Sequence, residues 1–219
     1  MVTHIVKVFD RFERFWHWTQ MLLIFILLYT GFSIHGLYQF NDFETMVMLH
    51  VSSAIALIVL WVFAIFWHLT TGTWRHYLPT TDGLFIVARY YAFDIFKGKQ
   101  HPYRKHFWRK HNPLQALTYL ALKLFLFPAI WLSGLAYLLY DFWATNPLAN
   151  QTLSMVALVH VATAFAMLVF IIIHVYMLTT DHSFVAHVKP MITGFDEVEL
   201  TEAEEHYLEE DEPSKIRKK

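Results

Sequence analysis

Cysteine is absent from this chain of 219 residues. Without a thiolate, the chain can hold no iron–sulfur cluster of its own, form no disulfide and attach no haem through a CxxCH motif. Charged residues are also scarce, at 16% of the chain, whereas 56% of the residues are hydrophobic and 18% are aromatic. That composition excludes an ordinary soluble domain and predicts a polytopic membrane protein. The 14 histidines are then the obvious ligands for any redox centre.

Four apolar runs are long enough to cross a bilayer as helices. They predict spans at about 15–34, 46–67, 113–140 and 154–178. Pro113 suits the first turn of the third span, and Pro128 should kink it. Between the second and third spans, apolar residues recur at helical spacing from Asp82 to Lys97, and Gly98 follows. This pattern predicts an amphipathic helix on the membrane surface, so the expected fold is an all-α membrane protein, a bundle of four transmembrane helices with one interfacial helix.

Lysine and arginine are unevenly shared between the connections. Those at 35–45 and 141–153 contain none, whereas the connection at 68–112 contains eight and the first 14 residues contain three. By the positive-inside rule, both termini and the long connection are cytoplasmic, and the short connections face the periplasm of a bacterial inner membrane. Ten of the 18 acidic residues lie at 196–212. We therefore interpret 1–190 as the membrane domain and 191–219 as an acidic cytoplasmic tail.

Histidines recur within the spans at matching depths. His160 and His174 of the fourth span are 14 residues apart, which places them about 40° apart around a helix and about 21 Å apart along it. In the predicted orientation His50 shares the outer depth of His160. His17 shares the cytoplasmic depth of His174. Each pair supplies one imidazole from each of two helices, as two axial haem ligands require, so the sequence predicts two stacked haems with the pairs His17/His174 and His50/His160.

Four other residues in the spans, Gly31, His35, His68 and Lys123, are further candidates for the predicted sites. Gly31 follows His17 by the same 14 residues, and at that position a larger side chain would strike the porphyrin. His35 and His68 lie at span ends on the faces of His17 and His50, and their roles stay open. Lys123 lies inside the third span, where its ammonium either extends to the membrane surface or pairs with a haem propionate or a quinone.

Four sequence motifs together resemble a known family. They are RFWHW at 14–18, His50 early in the second span, KHNPLQ at 110–115 and H-x13-H at 160–174. The chain resembles, over about residues 5–190, the di-haem cytochrome b subunits of membrane-bound formate dehydrogenases, nickel–iron hydrogenases and thiosulfate reductases, which are related to bacterial cytochrome b561.

The resemblance implies two b haems with four axial ligands, which are His17, His50, His160 and His174. It also implies a site for a quinone, menaquinone or ubiquinone, on the cytoplasmic side, with Asn112 as a contact. Gln115 is added to that site by its proximity, and Lys123 is a further candidate. Capping of the third span alone would also explain Asn112.

The expected function is electron transfer between a quinone pool and a periplasmic partner. That partner would be an iron–sulfur subunit or a multihaem cytochrome, and the chain would be the quinone-reactive subunit of a respiratory oxidoreductase complex rather than the substrate-converting one. Membrane lipid is an expected contact, and nucleic acid is not. Two alternatives stay open: a stand-alone b561-type quinol oxidase or ferric reductase, and a haem-free transporter that uses its histidines for metal ions or protons.

Overall fold

The computed structural model describes residues 2–99, 102–103, 109–179 and 184–217. Arg104 and Lys105, two of the basic residues behind the predicted orientation, lie outside these ranges. In chain order the elements are β1 (Val2–Lys7), α1 (Arg11–Ile34), α2 (Phe43–Thr71), α3 (Leu84–Arg89), α4 (Pro113–Ala121), α5 (Phe127–Leu138), α6 (Tyr140–Trp143), α7 (Ala149–Met177), α8 (Phe184–Thr193), β2 (Phe195–Leu200), α9 (Glu202–Glu210) and β3 (Ile216–Arg217).

Four helical stretches in the described ranges are long and apolar enough to cross a membrane. They are Arg11–Ile34, Phe43–Thr71, Pro113–Leu138 and Ala149–Met177, which confirms a mostly helical fold with four candidate spans. Three of them begin three to five residues earlier than predicted, because their polar first turns, which lie outside the apolar runs, are also helical. At the start of α2, for example, Asp42 Oδ1 caps the helix by accepting the N–H of Thr45 at 2.8 Å. At most 22% of the most apolar part of any span is buried, so apolar side chains face outward, where lipid covers them.

The third span departs from regular α-helix where a proline was expected to kink it. A π-helical turn, Leu122–Leu126, joins α4 to α5 just before Pro128. Proline has no N–H to donate to the carbonyl four residues earlier, and a wider turn accommodates that loss. Lys123 lies within this turn, and its side chain is exposed.

The predicted surface helix is present. Helical structure runs from Leu84 to Lys97 as α3, a π-helical turn and a short 3₁₀ segment, and it ends at Gly98, where φ is +65°. Its two faces differ, since Val87 and Tyr90 are buried while Phe85, Phe93 and Phe96 are exposed. Exposed phenylalanines on one face of a short helix are typical of a segment that lies in the membrane interface.

The described residues form two compact units. The first contains Met1–Met21, Leu60–Leu117 and Tyr176–Lys219, and the second contains Leu22–Val59 and Thr118–Val175. The histidines of interest divide between them, with His17 in the first unit and the other three in the second.

The first unit includes a small sheet that the sequence analysis did not foresee. β1 pairs antiparallel with β2, from Val2 opposite Leu200 to Lys7 opposite Phe195, and on its other edge with the short β3. We call these three strands and α9 the terminal sheet. Its core is formed by five buried side chains, which are Val6, Val198, Leu200, Leu208 and Ile216.

Acidic residues interpreted as a tail therefore include ordered strand and helix. In β2 the sequence FDEVEL alternates, so that Val198 and Leu200 point into the core while Glu199 between them is exposed. α9 begins with a capping box, in which Thr201 Oγ1 accepts the N–H of Glu204 and the Glu204 carboxylate accepts the N–H of Thr201. The helix is thus fixed at its start, and its buried Leu208 completes the core.

The start of α1 is attached to the end of α8 within the same unit. The indole N–H of Trp18 donates to the carbonyl of Met191 at 2.9 Å, and the guanidinium of Arg14 donates to the carbonyl of Ile192. These carbonyls belong to the last turn of α8, where a helix leaves acceptors unpaired. Gly194 follows with φ of +88°, and its carbonyl accepts the N–H of Val8 at 2.8 Å.

Candidate functional site

His50 of α2 and His160 of α7 face each other in the second unit. Their ring centroids are 6.3 Å apart, and the ring planes meet at 62°. Both side chains are half-buried. The two predicted partners are therefore neighbours across two spans.

The orientation of His50 is set by the hydroxyl of Thr30, which is fully buried. Thr30 Oγ1 lies 2.8 Å from Nδ1 of His50 and donates its own hydrogen to the carbonyls of Ile26, at 2.8 Å, and Leu27, at 3.2 Å. A hydroxyl has one hydrogen, so when it is donated to either carbonyl the oxygen can only accept from the imidazole, and Nδ1 then carries the proton. The carbonyl of Leu27 is a further acceptor beside the ring. Nε2 is then the nitrogen with the lone pair.

His160 has the same environment, supplied by the third span. Ser133 Oγ lies 3.0 Å from its Nδ1 and donates to the carbonyls of Ala129, at 2.6 Å, and Ile130, at 3.1 Å. The carbonyl of Ile130 is again a further acceptor beside the ring. By the same reasoning His160 is protonated on Nδ1 and keeps its lone pair on Nε2. Tyr137 packs edge-on against it, with centroids 5.7 Å apart.

A glycine follows each hydroxyl residue and lies against the imidazole. A Cβ on Gly31 would lie 3.5 Å from Cε1 of His50, and a Cβ on Gly134 would lie 3.3 Å from Cε1 of His160. The described neighbour of a Cβ on Gly31 is thus the ring of His50. We call Thr30 with Gly31, and Ser133 with Gly134, the two histidine cradles.

This arrangement fits an axial pair of haem ligands. With two metal–nitrogen bonds of about 2 Å and about 1 Å from each nitrogen to its ring centre, centroids of coaxial ligands lie about 6 Å apart. Metal-bound histidines usually donate their other N–H to a neighbouring acceptor, as both rings do here. A bare transition-metal ion needs more ligands than two imidazoles. Among the residues that the structure describes, no group of three or more His, Asp or Glu side chains could hold a metal ion.

His174 lies in the same unit, beside two aromatic side chains. The hydroxyl of Tyr119 is 3.2 Å from its Nδ1, and Phe170 stacks on the ring at 5.7 Å with an interplanar angle of 21°. His17 lies in the other unit, where Trp18 packs edge-on against it with centroids 5.4 Å apart. The pairing of His17 with His174 stays a prediction.

Two of the three candidate quinone residues contact each other within the first unit, and the third, Lys123, belongs to the second unit. Asn112 and Gln115 cap the third span reciprocally: Asn112 Oδ1 accepts the N–H of Gln115 at 2.9 Å, and Gln115 Oε1 accepts the N–H of Asn112 at 3.1 Å. The amide of Asn112 also donates to the hydroxyl of Tyr91 at 3.3 Å. Lys123 belongs to the second unit and Asn112 to the first. Capping accounts for both amides structurally, and their contact with a quinone stays a prediction.

His35 and His68, whose roles were open, have ordinary surroundings. His35 is exposed just after the end of α1. His68 donates from Nδ1 to the carbonyl of Ala64 at 2.7 Å and packs edge-on against Trp16, with centroids 5.6 Å apart.

A buried ion pair in the first unit was not anticipated from the sequence. Glu13, in the first turn of α1, is 1% exposed, and its Oε1 accepts from Lys110 Nζ and from the hydroxyl of Tyr77, each at 2.5 Å. Its Oε2 accepts the N–H of Asp10 at 2.8 Å. Burial lowers the pKa of Lys110, and the charge of Glu13 opposes that change. The network ties the start of α1 to the residues that precede the third span.

The family model described as prokaryotic cytochrome b561 matches residues 8–194. The chain belongs to the prokaryotic cytochrome b561 family. Across 195 residues it is 27% identical to the protein of Escherichia coli (strain K12) named "Putative cytochrome YdhU", covering 87% of this chain and 74% of that protein. No solved structure matches the chain.

Family membership gives the cofactor its chemical class. The chain is a bacterial multi-pass membrane cytochrome of the b561 type, its cofactor is haem b, and its function is electron transfer. The described geometry agrees with that assignment, since the ring centroids of His50 and His160 lie 6.3 Å apart.

Sequence reasoning missed the residues that orient the histidines. Thr30, Ser133, Gly134 and Tyr119 were not singled out. A signal was present, since LLYTG at 27–31 and IWLSG at 130–134 share a hydroxyl residue followed by glycine, in a chain with seven glycines. The sequence does not show which helix faces which histidine, however, so the two hydroxyl–glycine pairs could not be assigned to His50 and His160.

Proposed function

We propose that this b561-family cytochrome carries electrons across the membrane through two bis-histidine b haems, between a quinone pool and a redox partner on the periplasmic side. His50 and His160 would hold the outer haem, and His17 and His174 the inner one. The haem, when bound, supplies one-electron redox chemistry at each site. The chain would be the electron-transfer subunit of a larger oxidoreductase complex.

The spacing of His50 and His160 is the observation that supports this proposal most strongly. Two neutral imidazoles, 6.3 Å apart between centroids and each protonated on Nδ1, present the atoms that low-spin haem iron binds. The second haem is supported by sequence. His174 follows His160 by 14 residues on α7, and an Nδ1 neighbour, Tyr119, is present there too.

The quinone site is proposed on the cytoplasmic side, at the start of the third span. Asn112 is 8% exposed and belongs to the motif at 110–115 that resembles the formate dehydrogenase and thiosulfate reductase subunits. Gln115 is its capping partner. Lys123, inside the third span, would extend to the membrane surface or pair with a haem propionate or a quinone.

The periplasmic partner is proposed from charge. The connections at 35–45 and 141–153 contain no lysine or arginine and carry Asp42, Glu44 and Asp141. An iron–sulfur protein or multihaem cytochrome with a basic docking surface would be attracted to them. The partner's potential would decide whether quinone is reduced or quinol is oxidised.

Haem stoichiometry and quinol reactivity test the proposal. The full chain, purified in detergent from haem-sufficient cells, should contain two b haems, show reduced bands near 560 nm and be reduced by a soluble quinol analogue. His174→Ala should remove one haem and the reaction with quinol while the other haem keeps its spectrum. A preparation without reducible b-type bands would reject the proposal, and one haem per chain would reject its two-haem form.

The stand-alone alternative differs in its need for a partner. The purified single chain could oxidise quinol with oxygen or ferric chelates at a rate comparable to that in membranes. That result would favour the stand-alone oxidase or ferric reductase over the electron-transfer subunit proposed above. If quinol reduces the haems once and turnover then requires an added oxidised partner protein, the proposed electron-transfer subunit is supported.

A further inference from the structure

We propose that the two histidine cradles are a matched pair of positioning sites that fix the protonation and rotation of both ligands of a single haem, and so set its reduction potential. This inference rests on the proposed function, since it assumes that His50 and His160 bind one haem. The positioning residues are Thr30 and Ser133. Neither would touch the iron, and each acts through the imidazole beside it.

The two cradles are equivalent atom by atom. In each, a hydroxyl donates to the carbonyls four and three residues earlier on its own helix and accepts from a histidine Nδ1 of another helix. In each, the carbonyl three residues earlier is a second acceptor beside the same ring. In each, the next residue is a glycine whose absent Cβ leaves 3.3 to 3.5 Å to Cε1 of that ring.

The cradles come from the two spans that do not carry this pair of ligands. Thr30 and Gly31 belong to α1 and hold the histidine of α2, whereas Ser133 and Gly134 belong to α5 and hold the histidine of α7. All four spans therefore contribute to one site. The third span supplies no predicted haem ligand, but in this proposal it positions His160.

The hydroxyls are fixed as acceptors, which has a chemical consequence. Because each hydroxyl hydrogen is already donated to a carbonyl, rotation to offer it to the imidazole would break that bond in a buried place, where Thr30 is 0% and Ser133 is 5% exposed. Nδ1 is thus held protonated, and Nε2 is held as the only basic nitrogen. An acceptor at Nδ1–H raises the basicity of a ligating imidazole and its donation to the metal.

Loss of either hydroxyl should therefore raise the potential of the same haem. A less basic imidazole stabilises ferric iron less, so reduction becomes easier. The carbonyls of Leu27 and Ile130 remain as acceptors, so haem should be retained and each shift should be partial. If both histidines hold one haem, as proposed, the two losses should add in that haem.

The test is a potentiometric titration of the full purified chain, with electron paramagnetic resonance of the ferric haems. Thr30→Val removes the hydroxyl at nearly constant volume, and Thr30→Ser keeps it. Ser133→Ala removes the other hydroxyl. We expect Thr30→Val and Ser133→Ala each to shift the midpoint potential of one and the same haem upward, the double variant to shift it further, and Thr30→Ser to match the wild type.

Ser33→Ala is the matched control. Ser33 is a buried hydroxyl on the same helix as Thr30, one turn later, but it donates at 3.3 Å to the carbonyl of Tyr38 rather than accepting from a histidine. Its removal should leave both potentials and the resonance spectrum unchanged. If Thr30→Val does not accumulate, Thr30→Ala removes the same hydroxyl and is compared with Ser133→Ala in its place.

The outcomes separate this inference from the proposed function. Wild-type protein without b-type bands rejects the proposed function. Two normal haems in the wild type, with unshifted potentials in both Thr30→Val and Ser133→Ala, overturn the cradle inference alone. Shifts in two different haems would also overturn it, because the cradles would then not share one site.

Discussion

The imidazole rings of His50 and His160 lie 6.3 Å apart between centroids, and Nδ1 of each ring is hydrogen-bonded to a buried hydroxyl on a neighbouring span. Two histidines that were paired by their depth along the chain are therefore neighbours in the structure, each beside a hydroxyl group. Single substitutions at the histidines, hydroxyls and glycines of this site should therefore change haem content, potential and spectrum in different ways.

The first prediction concerns which ligands share a haem. His50→Ala and His160→Ala should each lower the haem content by about half, and the double variant should lose no more than either single one, because one missing axial ligand already opens a six-coordinate site. Haem per chain, measured by pyridine haemochrome against protein mass, is the readout. The control is His206→Ala on α9, where the side chain is exposed and contacts Glu210. A double variant with no haem at all would contradict the pairing.

The two glycines of the cradles should differ in tolerance. At Gly31 a methyl group would meet His50 Cε1 at 3.5 Å, an ordinary contact, whereas at Gly134 it would meet His160 Cε1 at 3.3 Å, which requires the ring to move. Gly31→Ala should keep the wild-type haem spectrum and gain up to about 1 kcal/mol in helix propensity. Gly134→Ala should broaden or shift the resonance of that haem. Equal spectra for the two variants would argue against the close approach at Gly134.

The capping pair at the third span offers a prediction for the quinone site. Serine is also a good N-cap, so Asn112→Ser should keep the stability that Asn112→Ala loses, about 0.5–2 kcal/mol. Serine has no amide to donate, however, so if Asn112 contacts quinone its replacement should raise the apparent KM for a quinol analogue about tenfold. Steady-state haem reduction at varied quinol concentration measures this. An unchanged KM in Asn112→Ser would leave capping as the whole role of the residue.

The features that the sequence predicted well depend on local composition. Span positions follow from runs of apolar residues, and the surface helix at 84–97 follows from its spacing of apolar residues and its glycine. The pairing of His50 with His160 was inferred from depth alone, because a helix rises by a fixed distance per residue and the residue number therefore gives the depth in the membrane. These inferences need no knowledge of how distant segments meet.

The features that were missed depend on contacts between distant segments. β1 alone is six residues, VTHIVK, and becomes recognisable as a strand only beside β2, nearly 200 residues later. Thr30 and Ser133 resemble ordinary helix hydroxyls that bond to their own carbonyls until a histidine from another span is placed beside them. Glu13 likewise has no evident partner in the sequence, because Lys110 is 97 residues away.

The terminal sheet should unfold locally when its core is emptied. Leu208 is 0% exposed and packs with the buried residues of β1 and β2, so Leu208→Ala should cost the sheet about 2–5 kcal/mol. Hydrogen exchange over 195–217 should become faster in this variant. Glu202→Ala, at an exposed position on the same helix, should leave exchange unchanged. Unchanged exchange in Leu208→Ala would show that these residues do not depend on that core.

The buried pair of Glu13 and Lys110 should be essential to the stability of the first unit. Glu13→Gln removes the negative charge while keeping the side-chain shape, which leaves the ammonium of Lys110 buried without its counter-charge. Breaking a buried ion pair from one side costs about 3–5 kcal/mol, so the thermal midpoint of the purified protein should fall. The matched control is Lys99→Ala, which breaks an exposed pair with Asp94 and should change the midpoint little.

Removing the second charge as well distinguishes a pair from a mere packing defect. In the double variant Glu13→Gln/Lys110→Met the buried ammonium is gone, and the long apolar side chain occupies a similar volume, so much of the lost stability should return. Recovery of the midpoint in the double variant, relative to Glu13→Gln alone, is the expected result in a thermal scan. If the two losses simply add instead, the 2.5 Å contact between Lys110 Nζ and Glu13 Oε1 is not what stabilises the start of α1 against the residues before the third span.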